Sequence, residues 1–210
     1  MSIKLGVVMD SIEQINIKKD STFAMLLAAQ KRGWQIYYMQ QHSLFALQDH
    51  AYGQMPLITV ANHPQEWFKK IKTIEQPLDQ LDIILMRKDP PFDMEYIYTT
   101  YLLELAEKQG VVVANKPQAL RDANEKLYTA HFPECTPPIL VTRNSEQLKH
   151  FANQHHDVIY KPLEGMGGKS IFRVKQNDMN LNVIIETLTH NATRYTMAQK
   201  FIPDIFTTGD

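Results

Sequence analysis

Apolar and polar positions fall into two kinds of run along the chain. Residues 3–9 are short, apolar and β-branched, and end on Asp10-Ser11, the pattern of a buried strand. After a polar stretch, Asp20-Ser21 offers an N-cap. Phe23, Leu26, Leu27 and Gln30 then recur at helical spacing up to Gly33, a suitable C-cap. Residues 34–39 form the next strand, so the chain opens as β-α-β, the start of a parallel sheet. Residues 81–87 are a dense apolar strand that Pro90-Pro91 cannot extend. Asp93 is placed to cap a helix over 94–109, with Tyr98, Tyr101, Leu102, Leu105 and Ala106 as its predicted apolar face. Gly110 closes that helix, and 111–114 is another strand. Residues 41–73 are less regular: 50–54 read as a turn between short strands, 57–60 as one of those strands, and 65–72 as a helical turn carrying Trp67 and Phe68. Residues 1–122 are therefore expected to form a doubly wound, parallel-sheet α/β domain.

The pattern changes after Arg121. Short helix is predicted at 124–131, strand at 139–142, and a helix capped by Asn144 or Ser145 as far as about residue 154. Strands at 158–161 and 171–174 flank a tight glycine loop, which implies an antiparallel hairpin. A helix within 178–188 and a strand at 195–201 complete what reads as a separate α+β subdomain, residues 123–202.

The loop carries the candidate chemistry. In Lys161-Pro162-Leu163-Glu164-Gly165-Met166-Gly167-Gly168-Lys169-Ser170, glycines at 165, 167 and 168 let backbone N–H groups approach an anion, and Lys161 and Lys169 add positive charge. Gly168-Lys169-Ser170 ends like a P-loop, but the required earlier glycine is Leu163 and the continuation Ile171-Phe172-Arg173-Val174 favours strand over helix. The dinucleotide fingerprint fails for the same reason, because no helix starts after the glycines. A glycine hairpin between strands, preceded by lysine, resembles the lid of ATP-grasp enzymes.

Composition narrows the picture little. The 210 residues are 44% apolar and 21% charged with net charge −1, which speaks against a nucleic-acid partner. No apolar run approaches a membrane span or a signal peptide, so a cytoplasmic protein without membrane contact is expected. The single cysteine, Cys135, fits a reducing compartment and reads as a small, partly buried hydrophobe. The histidines, including His155-His156, lack metal-ligand spacing.

Several blocks resemble the prokaryotic glutathione synthetases. They are Lys4-Leu5-Gly6-Val7-Val8-Met9-Asp10, Ile15-Asn16-Ile17-Lys18-Lys19-Asp20-Ser21, Ile84-Leu85-Met86-Arg87-Lys88-Asp89-Pro90-Pro91-Phe92-Asp93, and Asn115-Lys116-Pro117-Gln118 with Leu120-Arg121-Asp122 and Asn124-Glu125-Lys126-Leu127. Lys161-Pro162 with Gly165-Met166-Gly167-Gly168, and Arg194-Tyr195 with Met197-Ala198-Gln199, follow in the family's order. The resemblance implies an ATP- and Mg²⁺-dependent ligase that phosphorylates the carboxylate of γ-glutamylcysteine and lets the amine of glycine attack the acyl phosphate. It implies a pre-ATP-grasp substrate domain at 1–122, an ATP-grasp subdomain at 123–202, and the beginning of a further ATP-grasp part at 203–210.

By the same resemblance, Lys126 and Lys161 bind ATP, Gly165, Met166, Gly167 and Gly168 form the lid, and Gln199, Lys200, Phe201 and Ile202 form a hinge that meets adenine. Asp10, Ser11, Arg87, Lys88 and Asp89, at the ends of predicted strands, are expected to bind the peptide, although Arg87 and Asp89 would equally serve by pairing with each other or capping the 94–109 helix. The family continues beyond Asp210 with the metal ligands and further arginines. No metal ligand is therefore expected in this chain, and weak nucleotide binding without turnover is expected of it alone. A homo-oligomer is implied as well. The alternatives are another ATP-grasp ligase, acting on a different amino acid, or a non-catalytic fragment retaining oligomer contacts.

Overall fold

In the computed structural model, which describes residues 2–209, strand β1 (Lys4–Val8) is an inner strand of a seven-stranded sheet. It pairs in parallel with β2 (Gln35–Met39) on one side and β6 (Ile83–Met86) on the other, and β6 pairs in parallel with β7 (Val112–Ala114). Helix α1 (Ser21–Lys31) follows β1 and α2 (Met94–Lys108) follows β6. Both start where a carboxylate can take an orphan amide: Asp20 accepts from the Phe23 N–H and Asp93 from the Tyr96 N–H. β1, β2 and β6 are covered on both sides, so alternate residues serve two cores, whereas β7 is an edge strand with Val112 and Ala114 exposed. Leu5, Val7, Ile36 and Tyr38 meet Phe23, Leu26 and Ala29 of α1. Val8, Met39, Ile84 and Met86 meet Tyr96, Leu103 and Ala106 of α2. Helices thus cover both faces of the inner parallel strands.

The irregular region is where structure and sequence reading part. Residues 50–54 are not a turn but the first half of an eleven-residue strand, β4 (His50–Val60), and 65–72 are not helical but lead into β5 (Phe68–Pro77). With β3 (Leu44–Leu47), these strands extend the sheet antiparallel, so the sheet is mixed. β4 and β5 form a hairpin paired from Tyr52↔Pro77 to Val60↔Phe68, and this pairing overrides the turn and helix signals of the local sequence. Gly53 marks close packing rather than a turn: a Cβ there would lie 3.1 Å from Leu78 and 3.2 Å from the Met39 sulfur.

Helix α2 matches the predicted face only in part: Leu102, Leu105 and Ala106 pack on the core, but the two tyrosines do not. Tyr98 and Tyr101 are about half exposed (51% and 50%), whereas Thr99, Thr100 and Leu103 are buried. A threonine hydroxyl can go inside because it bonds the preceding turn, here Thr99 to Glu95 O and Thr100 to Ile97 O. The Tyr101 ring lies outside under the Arg121 guanidinium, 4.6 Å away. A short helix, α3 (Pro117–Asp122), closes this unit and was not anticipated.

The chain divides into two compact units, Met1–Asp122 and Ala123–Asp210. The second begins with 3₁₀ turns over Leu127–His131 and Pro133–Cys135 rather than the predicted helix, and Cys135 is exposed instead of partly buried. Strands β8 (Ile139–Thr142), β9 (Asp157–Pro162), β10 (Phe172–Lys175) and β11 (Thr196–Lys200) form an antiparallel sheet in the order β10-β9-β11-β8. Helices α4 (Ser145–His155) and α5 (Leu181–Thr189) lie on one face, their Leu148, Phe151, Ile185 and Leu188 packing on Val158, Tyr160, Val174 and Ala198. The Tyr160 hydroxyl satisfies itself on Leu148 O at 2.8 Å inside that core. A single turn, α6 (Ile205–Thr208), follows β11.

Candidate active site

In the first unit, β1 leads to a helix on one face of the sheet and its neighbour β6 to a helix on the other. The strand order therefore reverses between them, and the crevice beyond their carboxyl ends is where open α/β sheets bind ligands. Asp10 and Ser11 leave β1 at this crevice, and Arg87, Lys88 and Asp89 leave β6. The Lys88 ammonium donates to Asp10 Oδ1 at 2.8 Å and to Asp89 O at 2.7 Å, while Asp10 Oδ2 accepts from the Asp89 N–H at 2.9 Å. One carboxylate and one ammonium thus tie the two loops together. Ser11 donates to Glu13 at 2.7 Å.

Arg87 neither pairs with Asp89 nor caps α2. Its Nε donates to Thr22 Oγ1 at 3.0 Å and its Nη2 to Ser21 Oγ at 2.9 Å, which joins the end of β6 to the start of α1. Asp89 is left with a carboxyl pushed above its ordinary value, by burial first and then by the Asp10 carboxylate, with Lys88 opposing. A cleft of about 380 Å³ opens beside these groups, lined by Asp10, Ser11 and Lys88 together with Gln40, His42, Glu95 and Tyr98. The last four were missed from the sequence. Gln40 and His42 follow β2, whose position beside β1 was the available clue. Tyr98, whose helical spacing predicts a core position, is half exposed and lines the cleft instead.

In the second unit, strand alternation separates a face covered by helices from one that is not. Lys161 and Gln199 project from the latter face, and the Lys161 ammonium donates to Gln199 Oε1 at 2.7 Å. Burial first, and then the nearby Lys126 charge, hold the Lys161 ammonium below the ordinary lysine value. No carboxylate lies within ion-pair distance of it among the described residues. Lys126 reaches the glycine loop from the other side. Its Nζ donates to Gly165 O at 2.9 Å and Leu163 O at 3.4 Å, and pairs with Glu125 at 2.9 Å. Asn124 supports it by also reaching Leu163 O at 3.4 Å.

Gly165, Gly167 and Gly168 all have positive φ, with open space where a Cβ would stand, and Met166 between them is half exposed. Lys126 thus ties down Gly165, and its charge is felt at Lys161. The hinge residues are placed less uniformly. Lys200 ends β11 and donates its N–H to Pro138 O, whereas Phe201 lies beyond the strand and commits its N–H to Asp157 O at 3.0 Å. Ile202 is partly exposed and its carbonyl accepts from Ile205. The Phe201 ring is clasped by the Arg173 guanidinium at 3.6 Å, itself held bidentate by Asp157 at 2.9 and 2.7 Å.

Comparison with known proteins assigns both units. The family described as "Prokaryotic glutathione synthetase, N-terminal domain" matches residues 3–121, and the one described as "Prokaryotic glutathione synthetase, ATP-grasp domain" matches 125–210. The chain belongs to the prokaryotic glutathione synthetase family. Among curated members of the family, it is 57% identical to the glutathione synthetase of Photorhabdus laumondii over 97% of its own length, 58% identical to that of Vibrio vulnificus over 98%, and 53% identical to that of Pseudomonas aeruginosa over 98%. It spans about 64% of the length of these relatives. Among solved structures, the family's fold is shared with D-cycloserine synthetase, at TM-score 0.63 and 12% identity over 98% of this chain and 62% of that one. D-alanyl-alanine synthetase A of Vibrio cholerae follows at TM-score 0.58 and 11% identity, over 96% and 61%. Among the described residues, no helix is long and apolar enough to cross a membrane, and no three acidic, histidine or cysteine side chains cluster as a metal site would require.

Proposed function

We propose that this chain forms the peptide-binding domain and the nucleotide lid of a glutathione synthetase, which joins γ-L-glutamyl-L-cysteine to glycine through an acyl phosphate at the expense of ATP. The division of labour falls at residues 1–122 for the peptide and 123–202 for the nucleotide, with 203–210 starting a further ATP-grasp part. The observation that carries the reading is Lys161: an ammonium kept half-buried beside a second lysine and a glycine loop, with an amide rather than a carboxylate as partner. Such a charge is costly until an anion arrives, and a triphosphate is the anion that this family uses.

The donor set fits ATP. Lys126 and Lys161 would take the phosphates, the Gly165–Gly168 amides would close over them, and the Gln199–Ile202 backbone would meet the adenine. Because the Lys200 and Phe201 N–H groups are already committed to Pro138 O and Asp157 O, and the Ile202 carbonyl to Ile205, that contact falls to groups such as the Phe201 carbonyl and the Ile202 N–H. ATP supplies the phosphoryl group that converts a carboxylate, a poor acyl donor, into a good one, and the lid keeps water from the product of that step. Mg²⁺, which such a transfer needs, finds no acidic cluster among the described residues.

The mixed charge of the first unit's crevice, with Lys88, Asp10 and Asp89, suits a zwitterionic dipeptide. A thiol peptide and a lone unpaired cysteine both suit the reducing cytoplasm. A homo-oligomer, as the family implies, is checked by light scattering. The decisive experiment is calorimetric titration of ATP and of γ-glutamylcysteine into this chain and its Lys161→Ala variant. ATP binding that the substitution abolishes is expected. Equal binding by both would overturn the site, and failure to prefer γ-glutamylcysteine over D-alanine would overturn the substrate.

A further inference from the structure

The loop that brings Asp10 and Ser11 to the crevice is held by more contacts than its length requires, and they come from residues distant in sequence. Ile12 is fully buried, and its backbone is gripped at both polar groups. The Trp67 indole N–H donates to Ile12 O at 2.8 Å, and the Ile12 N–H donates to the Tyr38 hydroxyl at 3.2 Å. That hydroxyl donates in turn to Asp10 O at 3.3 Å and accepts from the Gln40 side-chain amide. A phenol has one proton to give and two lone pairs to fill, so Tyr38 has every hydrogen-bonding valence occupied and a single orientation. An ion pair closes the ring from outside: Lys70 of β5 holds Glu13 at 2.8 Å, and Glu13 accepts from Ser11.

We infer that Trp67 and Tyr38 are positioning residues. They fix the main chain of Asp10–Ile12, and so the Asp10 carboxylate and Ser11 hydroxyl, in the register that the peptide substrate meets. This gives the β4–β5 hairpin, which a parallel sheet does not need, a function: it delivers Trp67 and Lys70 to the substrate loop. The inference deepens the proposed function and rests on that reading for the identity of the ligand. The loop has no regular secondary structure beyond one 3₁₀ turn, Ile12–Gln14, so its conformation depends on these side chains. Neither Trp67 nor Tyr38 lines the cleft, so each acts through the loop and not by contact with the peptide.

The test uses the whole chain with Trp67→Phe and Tyr38→Phe, which keep the rings and delete only the polar groups. Amide hydrogen exchange is read at residues 10–14, at core amides of β1 and β6, and in the second unit. Calorimetry with γ-glutamylcysteine and with ATP is run alongside. Faster exchange confined to 10–14 in both variants is expected, with γ-glutamylcysteine affinity about tenfold lower and ATP affinity unchanged. A merely structural role would instead raise exchange in β1 and β6 as well. Unchanged exchange at 10–14, or a global rise, overturns the inference, as does full dipeptide affinity in a variant whose loop has loosened. If either variant fails to fold, the other is decisive, and Lys70→Met on the exposed side of the ring should loosen 10–14 to a smaller degree. Wild-type chain that binds no dipeptide refutes the functional reading, whereas positioning of the loop is still judged by exchange alone.

Discussion

Replacing Lys161 by methionine should separate stability from nucleotide binding. Methionine keeps the apolar stem and loses the ammonium. In the free chain this deletes one charged hydrogen bond to Gln199, a contribution of about 1.5–3 kcal/mol. It also removes the burial cost of the ammonium and its repulsion from Lys126, the two effects that depress its pKa. These opposing terms are similar in size, so folding stability should change by no more than about 1 kcal/mol. Binding has no such compensation. A phosphate charge about 4 Å from an ammonium is worth roughly 4 kcal/mol at an effective dielectric of about 20. Discounted for a half-exposed site, a loss of about 2–3 kcal/mol remains, or about 30- to 150-fold in ATP affinity. The sign of the pH dependence follows as well. A lysine with a lowered folded pKa contributes least below that value, and its contribution is complete above the unfolded value of about 10.4. The wild type should therefore gain stability relative to Lys161→Met as pH rises through the lowered folded value towards 10.4. Calorimetry gives the affinity, and denaturant unfolding at several pH values gives the stability. A Lys161→Met chain that melts well below the wild type yet binds ATP normally would refute the reasoning.

Three further outcomes are expected. Leu103→Ala should cost about 2–5 kcal/mol, because Leu103 is fully buried in the α2 core, whereas Tyr98→Ala should cost less than about 0.5 kcal/mol and weaken γ-glutamylcysteine binding instead; urea melts and calorimetry distinguish the two. Gly165→Ala meets no atom within 4 Å, but its φ of +95° is strained for any L side chain, so it should perturb the lid by about 1–2 kcal/mol of local backbone strain, read as weaker ATP binding with the melting of the unit's core retained. Asp157 is held below the ordinary carboxylate value chiefly by its hydrogen bonds from Arg173. Its stabilisation is present above about pH 4 and is lost as pH falls through the lowered folded value, so acidification should destabilise the wild type more than Asp157→Asn in parallel thermal melts.

The sequence by itself determined most of what local chemistry can encode. Asp20 and Asp93 announced their helices because a capping carboxylate needs only its next three residues. The apolar runs around β1, β2 and β6 announced buried strands because residues of both faces pack into a core. The glycine spacing before a strand announced a hairpin because no helix could follow. Lys126, Lys161 and the loop were legible as a group through resemblance, and their convergence is a matter of tertiary contact.

Tertiary structure alone decided the rest. Residues 50–54 and 65–72 carried local signals of turn and helix that pairing in the β4–β5 hairpin overrode. Which residues of α2 go inside depended in part on threonine hydroxyls that could satisfy themselves on the preceding turn. Arg87 looked like a ligand or a partner for Asp89, and only the fold brings Ser21 and Thr22 within its reach. Trp67 read as part of a helical turn, and its indole N–H acquires a purpose only when the hairpin carries it to Ile12. Caps and periodicities are written within a few residues of where they act, while hydrogen bonds between distant segments exist only once the chain has closed around them.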